Sequence, residues 1–236
     1  MISVCIATYN GTNFIINQLN SVLMQLSHED QVIIVDDCSN DNTVKIIREN
    51  YGERVEIYTN SENIGAIKTF EKAISKAVGD IVFLCDQDDI WLNDKVDKVL
   101  EQFKILDTWL VLHDAYVLNG DHEIIEYSWN KYNNNRKKGL LGNIIKNNFT
   151  GACMVFRKEL IKEILPFPDE IEMHDQWIAL VCMLNKKKIF YIDEPLMNHI
   201  RHGNNATGIK KRSSLTILSG RLNTIKAIIK YKYKKF

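Results

Sequence analysis

The densest group of carboxylates in the sequence lies in one short segment, Asp86-Gln87-Asp88-Asp89. Three carboxylates this close repel one another at neutral pH unless a cation lies between them. An Asp-x-Asp pair suits a hard divalent ion that is shared with phosphate oxygens. The alternative is that Asp88 or Asp89 only caps a helix beginning near Leu92, which accounts for Asp89 but poorly for the whole cluster.

A second acidic pair, Asp36-Asp37, follows the apolar run at 32–35 in the same way. Taken alone, it is equally compatible with a ligand role and with an Asx turn that leads into the next helix. Neither pair fits a calcium loop, since no glycine stands at the sharp-turn position. The sequence also has no Walker loop and no Gly-x-Gly-x-x-Gly after its first strand, which argues against P-loop and dinucleotide enzymes.

The elements that must position these carboxylates alternate regularly in the first half. Short apolar runs at 2–7, 32–35, 55–58 and 81–85 predict strands, and helical spacing predicts helices at 14–26, after 41–43, at 67–77 and at 92–106. Strands that are apolar throughout indicate a mostly parallel sheet with helices on both faces. The ligand site of such a sheet lies at the carboxyl ends of its strands, where Thr8-Tyr9-Asn10 and both acidic groups collect.

The second half is less regular but continues the same body. We predict strands at 109–118, 149–157 and 189–192, helices at 138–146 and 175–184, and a loop at 133–135. With 45% hydrophobic and 25% charged residues, the chain can bury a core, so intrinsic disorder is excluded. No apolar stretch approaches 18 residues, and the five cysteines form no close pairs. These features predict a reduced, cytosolic protein without a membrane span, a disulfide framework or a zinc site.

The zero net charge conceals an uneven distribution. Residues 1–194 contain 20 basic and 30 acidic residues, whereas residues 195–236 contain ten basic residues and no acidic one. From Ser214 onward, apolar residues recur at steps of three and four between basic ones: Leu215, Leu218, Leu222, Ile225 and Ile229. This predicts a basic amphipathic helix that packs on the body or on a partner subunit, or docks on an anionic membrane. Nucleic-acid binding is disfavoured because the body is acidic.

Four motifs in order resemble family 2 glycosyltransferases of the GT-A fold. They are residues 2–11 (ISVCIATYNG), residues 34–43 (IVDDCSNDNT), Asn63-Ile64-Gly65, and residues 86–91 (DQDDIW). The resemblance implies a Rossmann-like, mostly parallel sheet. It implies a glycosyltransferase domain at 1–208, with a nucleotide-binding half at 1–118 and an acceptor-binding half at 119–208, followed by the basic tail at 209–236. Together with His202-Gly203-Asn204-Asn205, the fourth motif looks most like bacterial rhamnosyltransferase-type members that build surface polysaccharides.

Carried over residue by residue, the resemblance implies roles for the strand ends. Thr8, Tyr9 and Asp36 would lie against the base of a UDP- or dTDP-sugar, with Asp36 accepting from the pyrimidine N–H. Asp86 would bind the ribose, and Asp88 would ligate Mn²⁺ or Mg²⁺ at the diphosphate. Further nucleotide contacts are expected from Asn10, Asp37 and Gly65, and contacts to the diphosphate or acceptor from Asp89, Trp91, His174, Trp177 and Arg201.

An inverting transferase also needs a general base. The resemblance assigns it to Asp175 in His174-Asp175-Gln176-Trp177, a position that is equally suited to a helix cap. Glu170 and Glu172 are rivals. A histidine of the later His199-Ile200-Arg201-His202 segment would complete the metal ligands, and His202 is the better positional match.

The resulting prediction is an inverting, metal-dependent glycosyltransferase. It would transfer a sugar to a glycan or lipid-linked acceptor, on the cytoplasmic face of a bacterial membrane that its tail contacts. Since Gln-x-x-Arg-Trp is absent, transfer of one or a few sugars is favoured over polymerisation. The alternatives are a metal-dependent phosphohydrolase with Asp86 as nucleophile and a non-catalytic scaffold that the tail recruits to a membrane.

Overall fold

The computed structural model describes residues 1–105, 107–135, 139–202 and 213–234. The strands are β1 (Ile2–Thr8), β2 (Gln31–Asp36), β3 (Glu56–Thr59), β4 (Ile81–Asp86), β5 (Ile90–Trp91), β6 (Thr108–Leu118), β7 (Ile124–Glu126), β8 (Met154–Arg157) and β9 (Lys188–Ile200). The helices are α1 (Ile15–Leu23), α2 (Thr43–Tyr51), α3 (Gly65–Ser75), α4 (Lys95–Phe103), α5 (Trp129–Tyr132), α6 (Leu140–Ile145), α7 (Ile161–Ile164), α8 (His174–Leu184) and α9 (Ser214–Lys234).

The strands form one sheet in the order β3-β2-β1-β4-β8-β6-β9-β5, with β7 paired to β6. β1 to β4 run parallel to one another, β8 is antiparallel to both β4 and β6, and β9 runs parallel to β6. The chain winds from β1 to β2 and β3 on one side and then returns to β4 on the other side of β1. This reversal opens a crevice at the carboxyl ends of β1, β2 and β4.

Successive side chains of each strand point to alternate faces of the sheet, which explains why helices cover both faces. In β2, Val32 and Ile34 belong to one hydrophobic cluster, and Ile33 and Val35 belong to the other. α1 and α2 contribute to the first cluster, and α3 and α8 to the second. Since successive side chains of a strand point to opposite faces, a run of four apolar residues requires helices on both sides. The predicted fold class and the predicted strand-helix alternation are confirmed.

The second half departs from the sequence pattern in two strands. β8 begins at Met154 rather than at 149, because residues Gly151–Cys153 form a 3-10 turn. β9 extends to Ile200 although only 189–192 was predicted. Asp193 and Glu194 interrupt its apolar pattern at a bulge, where the pairing partner of β6 jumps from Ile192 to Pro195. The bulge lets the strand continue towards the histidines that follow it.

Some predicted features lie outside the described residues. These are Gly203-Asn204-Asn205, the domain boundary at 208, the start of the tail at 209–212, and Lys138 at the start of a predicted helix. The division of the body into a nucleotide-binding half and an acceptor-binding half stays a prediction.

The tail helix α9 packs on the body through a side made mostly of small residues rather than through its leucine stripe. Its buried residues are Gly220, Thr224, Ala227 and Ile228. Tyr231 Oη donates to Glu163 Oε2 over 2.7 Å and accepts from Asn185 Nδ2 over 2.7 Å. Within the described residues, no helix is both long enough and apolar enough to span a membrane.

Candidate active site

The crevice at the carboxyl ends of the strands contains a cavity of about 330 Å³. Six residues predicted from the sequence line it: Thr8, Tyr9, Asp37, Gly65, Asp86 and Asp88. Seven others join them: Ala7, Asn63, Ala66, Thr69, Phe70, Gln87 and His199. These residues come from the ends of β1, β2 and β4, the start of α3, and β9. The topology therefore brings together polar residues that are far apart in the chain.

The two carboxylates after β2 have different surroundings. Asp36 is fully buried and does not line the cavity. Its carboxylate accepts hydrogen bonds from Thr8 Oγ1 over 3.0 Å, from the Ser39 amide over 2.8 Å and from Ser39 Oγ over 2.5 Å. Asp37 lines the cavity and accepts from the Gly65 amide over 2.8 Å. Hydrogen bonds from Ile64, Asn60 and Gly65 outweigh burial and lower the pKa of Asp37, so it stays ionised. The geometry favours Asp37 over Asp36 for a direct nucleotide contact.

Gly65 begins α3 with a φ of +83°, a conformation that costs little only for glycine. Nothing lies within 4 Å of where a Cβ would stand, so the backbone conformation rather than crowding requires glycine. Asn10 also has a positive φ, and its Oδ1 accepts from the Asn40 amide over 2.9 Å. Asn10 therefore joins the loops after β1 and β2 and does not itself line the cavity.

Gln87 holds the backbone that follows β1. Its Oε1 accepts from the Tyr9 amide over 2.9 Å, and its Nε2 donates to the Tyr9 carbonyl over 3.0 Å. A Cβ on Gly11 would lie 2.4 Å from Gln87 Oε1, so glycine leaves the room that this side chain needs. The Asp86–Asp89 segment thus contributes a clamp on the loop that carries Tyr9, in addition to its carboxylates.

We expect Gln87→Leu to weaken nucleotide binding while the protein stays folded. The substitution removes both hydrogen bonds to Tyr9, worth about 1 kcal/mol each, so the Kd for UDP should rise roughly 5- to 30-fold. Isothermal titration with UDP and Mn²⁺ measures the change. Gln25→Leu, on a half-buried side chain of the same type outside the cavity, is the matched control. An unchanged Kd for Gln87→Leu would contradict the clamp.

The carboxylates after β4 are each paired with a histidine from β9 or the residues directly after it. Asp89 is fully buried, and its Oδ1 lies 2.9 Å from His199 Nδ1. Asp88 Oδ2 lies 2.8 Å from His202 Nε2. Burial and the neighbouring Asp89 raise the pKa of Asp88, although His202 opposes the shift. Burial, Asp89 and Asp88 together raise the pKa of Asp86 well above its usual value. The cluster is a concentration of negative charge that a cation would relieve.

The donor set fits a divalent cation only if the ligand supplies part of the coordination. Within the described ranges, no three His, Cys, Asp or Glu side chains form a group that could hold a metal ion by themselves. The Asp88–His202 pair provides one oxygen and one nitrogen at the edge of the cavity. Mg²⁺ and Mn²⁺ sites commonly combine one or two protein ligands with phosphate oxygens, so the residues present fit such an ion.

Asp89 does not cap the following helix, because α4 begins at Lys95 rather than near Leu92, with Asp94 at its cap position. The alternative explanation of the acidic cluster as a helix cap is therefore wrong. Asp89 is also fully buried and paired with His199, so the geometry favours Asp88 over Asp89 for a direct contact to a diphosphate. The Asp89 carboxylate instead orients a histidine that lines the cavity.

Asp175 lies in the first turn of α8, as predicted. Its Oδ1 accepts from Asn147 Nδ2 over 2.9 Å and from the Gln176 amide over 2.6 Å. Burial raises the pKa of Asp175 to about 6, in spite of these hydrogen bonds and one from the Gly151 amide. The preceding residue, His174, stacks on Phe70, which lines the cavity, so Asp175 lies in the helix turn next to the cavity. A carboxylate with this pKa can accept a proton near neutral pH.

The rival acids face the tail helix. Glu170 forms an ion pair with Lys230 of α9, and this pair lowers the pKa of Glu170. Glu172 lies against Gly220 of α9, where an added Cβ would come within 2.3 Å of its Oε2. Neither lines the cavity between β1, β2 and β4. Of these three carboxylates, Asp175 is therefore the one whose burial and raised pKa suit a general base.

A model of the family described as Glycosyl transferase family 2 matches residues 3–165. The chain belongs to glycosyl transferase family 2. The family inferred from the four motifs is thereby confirmed, and so is the enzyme class at family level.

Individual proteins agree with this assignment. The dTDP-rhamnosyl transferase RfbG of Shigella flexneri is 28% identical over 219 residues, covering 86% of this chain and 73% of that protein. Residues 1–349 of TarS from S. aureus, solved in complex with UDP-GlcNAc, superimpose with a TM-score of 0.74 at 22% identity, covering 95% of this chain and 66% of that one. The mannosyltransferase PcManGT of Pyrobaculum calidifontis, solved with GDP-Man and Mn²⁺, gives 0.62 at 19%, covering 99% and 63%.

At these identities the two structural likenesses show the GT-A fold alone. The chain spans 66% and 41% of the lengths of two further bacterial glycosyltransferases that it matches, so whole-protein activities do not transfer to it directly. The fold class expected from the sequence is confirmed.

In this family 2 chain, both tryptophans that were predicted to contact the diphosphate or the acceptor are buried. Trp91 is 2% exposed and packs against Phe83, with the Lys95 ammonium 4.2 Å from its ring centroid. Trp177 is also 2% exposed, and its Nε1 donates to the Ile164 carbonyl over 3.0 Å. Both are core residues. Their positions beside Asp89 and Asp175 suggested a ligand role that only tertiary packing could exclude.

Two other residues with a predicted contact, His174 and Arg201, do not line the cavity. His174 stacks on Phe70 with centroids 4.4 Å apart, and Phe70 lines the cavity. Burial lowers the pKa of His174 to about 4, so it is neutral. Arg201 directs its guanidinium carbon to within 5.9 Å of the Tyr132 ring centroid. Its backbone amide donates to the Leu118 carbonyl over 2.8 Å.

Proposed function

We propose that this chain is a metal-dependent, inverting glycosyltransferase that uses a nucleotide-sugar donor. The observation that supports the proposal is that a buried carboxylate, Asp175, follows His174, which stacks on Phe70 of the same cavity that Asp86 and Asp88 line. One carboxylate of raised pKa and a carboxylate-histidine pair suited to a cation are the two functions that inverting transfer requires.

The donor would occupy the 330 Å³ cavity with its base near Tyr9 and Asp37. Asp37 is the better candidate for the pyrimidine N–H, because it lines the cavity and stays ionised. Asp86, at the end of β4, would hydrogen-bond the ribose hydroxyls. Because its pKa is raised, its carboxyl group can donate to a hydroxyl as well as accept from one. The hydrogen bond from Thr8 Oγ1 to Asp36 would help to hold the ends of β1 and β2 in place in this half of the site.

At the other end of the cavity, Asp88 and His202 would hold Mn²⁺ or Mg²⁺ against the diphosphate. Such an ion, when bound, neutralises the charge that develops on the departing nucleoside diphosphate. Asp175 would accept the proton of the acceptor hydroxyl as its oxygen bonds to the anomeric carbon. The bond from that carbon to the diphosphate oxygen breaks on the opposite face, so the anomeric configuration inverts.

A phosphohydrolase that uses Asp86 as nucleophile is less compatible with this site. The pKa of Asp86 is raised well above its usual value by burial, Asp89 and Asp88, which favours the protonated, non-nucleophilic form. A non-catalytic scaffold would not require a buried base of raised pKa beside the acidic cluster.

The likeness to RfbG supports a deoxysugar such as rhamnose as the transferred group, and a glycan or lipid-linked acceptor in surface polysaccharide synthesis. A panel of UDP, dTDP and GDP tests the donor, each with Mn²⁺ or with EDTA, by thermal unfolding. We expect at least one pyrimidine diphosphate to raise the Tm only when Mn²⁺ is present. No shift with any of the nucleotides would refute the donor site.

We further propose that α9 rests on the anionic surface of a membrane. Its predicted apolar face is exposed: Leu218, Leu222 and Ile229 are 53%, 51% and 48% exposed. At about 100° per residue, this stripe lies opposite the buried Thr224–Ala227 side. Lys226 and Lys230 flank it on one edge, and Arg221 and Lys232 on the other.

Nearby exposed residues enlarge the same apolar surface. Leu141 and Ile145 of α6 are 75% and 57% exposed, and Arg221 Nε donates to the Ile145 carbonyl over 2.9 Å. An apolar stripe between two rows of cations, without an acidic residue on the helix, matches a bilayer with anionic headgroups. The surface would keep the enzyme beside a lipid-linked acceptor.

Leu222→Glu should weaken binding to vesicles that contain phosphatidylglycerol by at least about tenfold, since it removes roughly 1.5–3 kcal/mol of apolar burial. Thr216→Glu adds the same charge to the same helix at an exposed position outside the stripe, and should bind like wild type. Co-sedimentation measures both. Equal binding of the two variants, or self-association of the chain without vesicle binding, would contradict membrane docking.

A further inference from the structure

Among the residues that the structure describes, Lys95 is the largest charged side chain that is completely buried. It stands at the first position of α4, where a positive charge is unfavourable with the helix dipole. Burying a lysine is costly unless specific partners compensate. Both features reduce stability, so the presence of this side chain calls for a reason other than packing.

The ammonium of Lys95 lies where three parts of the candidate site meet. Its Nζ donates to the Ala152 carbonyl over 3.1 Å, lies 3.9 Å from Met197 Sδ, and stands 4.2 Å from the centroid of the Trp91 ring. Trp91 follows the acidic segment, and Met197 precedes His199 on β9. Lys95 thus links the two segments that provide the carboxylates and their histidines.

The hydrogen bond from Lys95 to the Ala152 carbonyl connects Lys95 to the turn that lies next to Asp175. Ala152 belongs to the Gly151–Cys153 turn, and Gly151 lies against the first turn of α8, which contains Asp175. The same turn packs against His174, whose Nε2 would lie 2.8 Å from a Cβ on Gly151. Movement of the turn would therefore displace Asp175 and the side chain preceding it.

Charged and titratable groups around Lys95 are consistent with an electrostatic role beneath the site. Asp89 and Asp86 are near enough to stabilise its charged form, although burial lowers the pKa of Lys95. Lys95 and burial together lower the pKa of His113 well below its usual value, so that histidine is neutral. Burial raises the pKa of the neighbouring Cys85 thiol to about 12, so Cys85 is neutral as well.

We propose that Lys95 is a positioning residue for the transfer reaction: its ammonium fixes the Gly151–Cys153 turn, and through it Asp175, against the acidic end of β4. This role rests on the proposed glycosyltransferase function. Lys95 touches neither donor nor acceptor, and it acts through the backbone that orients the base.

The test compares Lys95→Met and Lys95→Gln with Lys98→Met, an exposed lysine on the same helix whose partners are Asp94 and Glu194. Lys95→Met should lower kcat about 10- to 100-fold, because small displacements of a catalytic group cost that much. Its Kd for UDP with Mn²⁺ should stay within about threefold. Lys95→Gln retains a donor for Ala152 and should recover part of the loss, and Lys98→Met should match wild type.

Hydrogen exchange provides a second measurement that does not depend on activity. Amides of the peptide covering 147–153 should exchange faster in Lys95→Met than in wild type, with the strands β1 and β2 unchanged. If Lys95→Met does not fold, kcat and hydrogen exchange are both measured on Lys95→Gln instead.

Unchanged kcat and unchanged exchange in a folded Lys95 variant would overturn the proposal and leave the proposed function intact. A uniform rise in exchange across the whole chain would also overturn it, since that pattern indicates general destabilisation. If the wild type transfers no sugar to any acceptor and hydrolyses no donor, the proposed function fails and this role fails with it.

Discussion

Replacing Asp175 with Asn is expected to reduce sugar transfer by about 10²- to 10⁴-fold, the range that a positioned general base contributes. The amide retains the size of the carboxyl and can still accept from Asn147 and from the Gln176 amide, so the fold should survive. It cannot accept a proton. Because Asp175 lies in α8 and not among the residues that line the nucleotide cavity, the Kd for UDP with Mn²⁺ should hardly change.

The pH dependence provides an independent check on the same residue. Burial raises the pKa of Asp175 to about 6, and the base acts only when deprotonated. Activity should therefore be full above this pH and fall about tenfold per pH unit below it. An ordinary aspartate would keep its activity down to about pH 4. Initial rates across this range, at saturating donor, measure the inflection.

Glu170→Gln is the matched control for Asp175→Asn. It removes a carboxylate from the same segment, but one that is paired with Lys230 and faces α9. We expect it to retain wild-type transfer and the same pH profile. Full activity in Asp175→Asn, or a comparable loss in Glu170→Gln, would show that the base is elsewhere.

Replacing Asp88 with Asn should reduce activity about 100-fold or more, because stabilisation of the leaving diphosphate by a metal ion is worth several kcal/mol. The amide is a weaker ligand and leaves His202 without its 2.8 Å carboxylate partner. The loss should appear as weaker Mn²⁺ affinity, measured by titrating activity with Mn²⁺ after treatment with EDTA. Wild-type activity should disappear with EDTA and return with Mn²⁺.

The control for Asp88→Asn is Asp97→Asn, an exposed aspartate on α4 outside the cavity. It should leave the dependence on Mn²⁺ unchanged. If Asp88→Asn needs no more Mn²⁺ than wild type, the metal is not held at Asp88. If wild type is insensitive to EDTA, the proposed metal dependence itself is wrong.

The parallel half of the fold could be predicted because its signals are local. The strands β1, β2 and β4 are short, mostly apolar runs, and each is followed by polar residues that must lie at its carboxyl end. The position of the cavity followed from this rule, and six of the residues predicted from the four motifs line it: Thr8, Tyr9, Asp37, Gly65, Asp86 and Asp88. Asp175 was placed correctly at a helix start for the same reason.

What could not be predicted depends on contacts between distant segments. Adjacent aspartates such as Asp36 and Asp37 have the same local sequence, but only the second faces the cavity. The clamp by Gln87 and the buried Lys95 depend on Tyr9 and Ala152, which are far away in the chain. Sequence patterns contain no information on such partners.

The tail helix illustrates a different limit. The most apolar face of an amphipathic helix is normally the buried one. In α9 the small residues Gly220, Thr224 and Ala227 allow close approach to the body, and the leucine stripe stays exposed. The sequence predicted the helix and its apolar stripe, but only the packing determines which face is available for a membrane.

The most direct measurement of the central claim is the product formed from a bound nucleotide-sugar in methanol-water mixtures, followed by NMR. A methyl glycoside retains its anomeric configuration once formed, so it records the stereochemistry of transfer without knowledge of the natural acceptor. The account predicts slow, Mn²⁺-dependent release of nucleoside diphosphate and a methyl glycoside whose configuration is opposite to that of the donor. Retention of configuration, or inorganic phosphate without any glycoside, would contradict it.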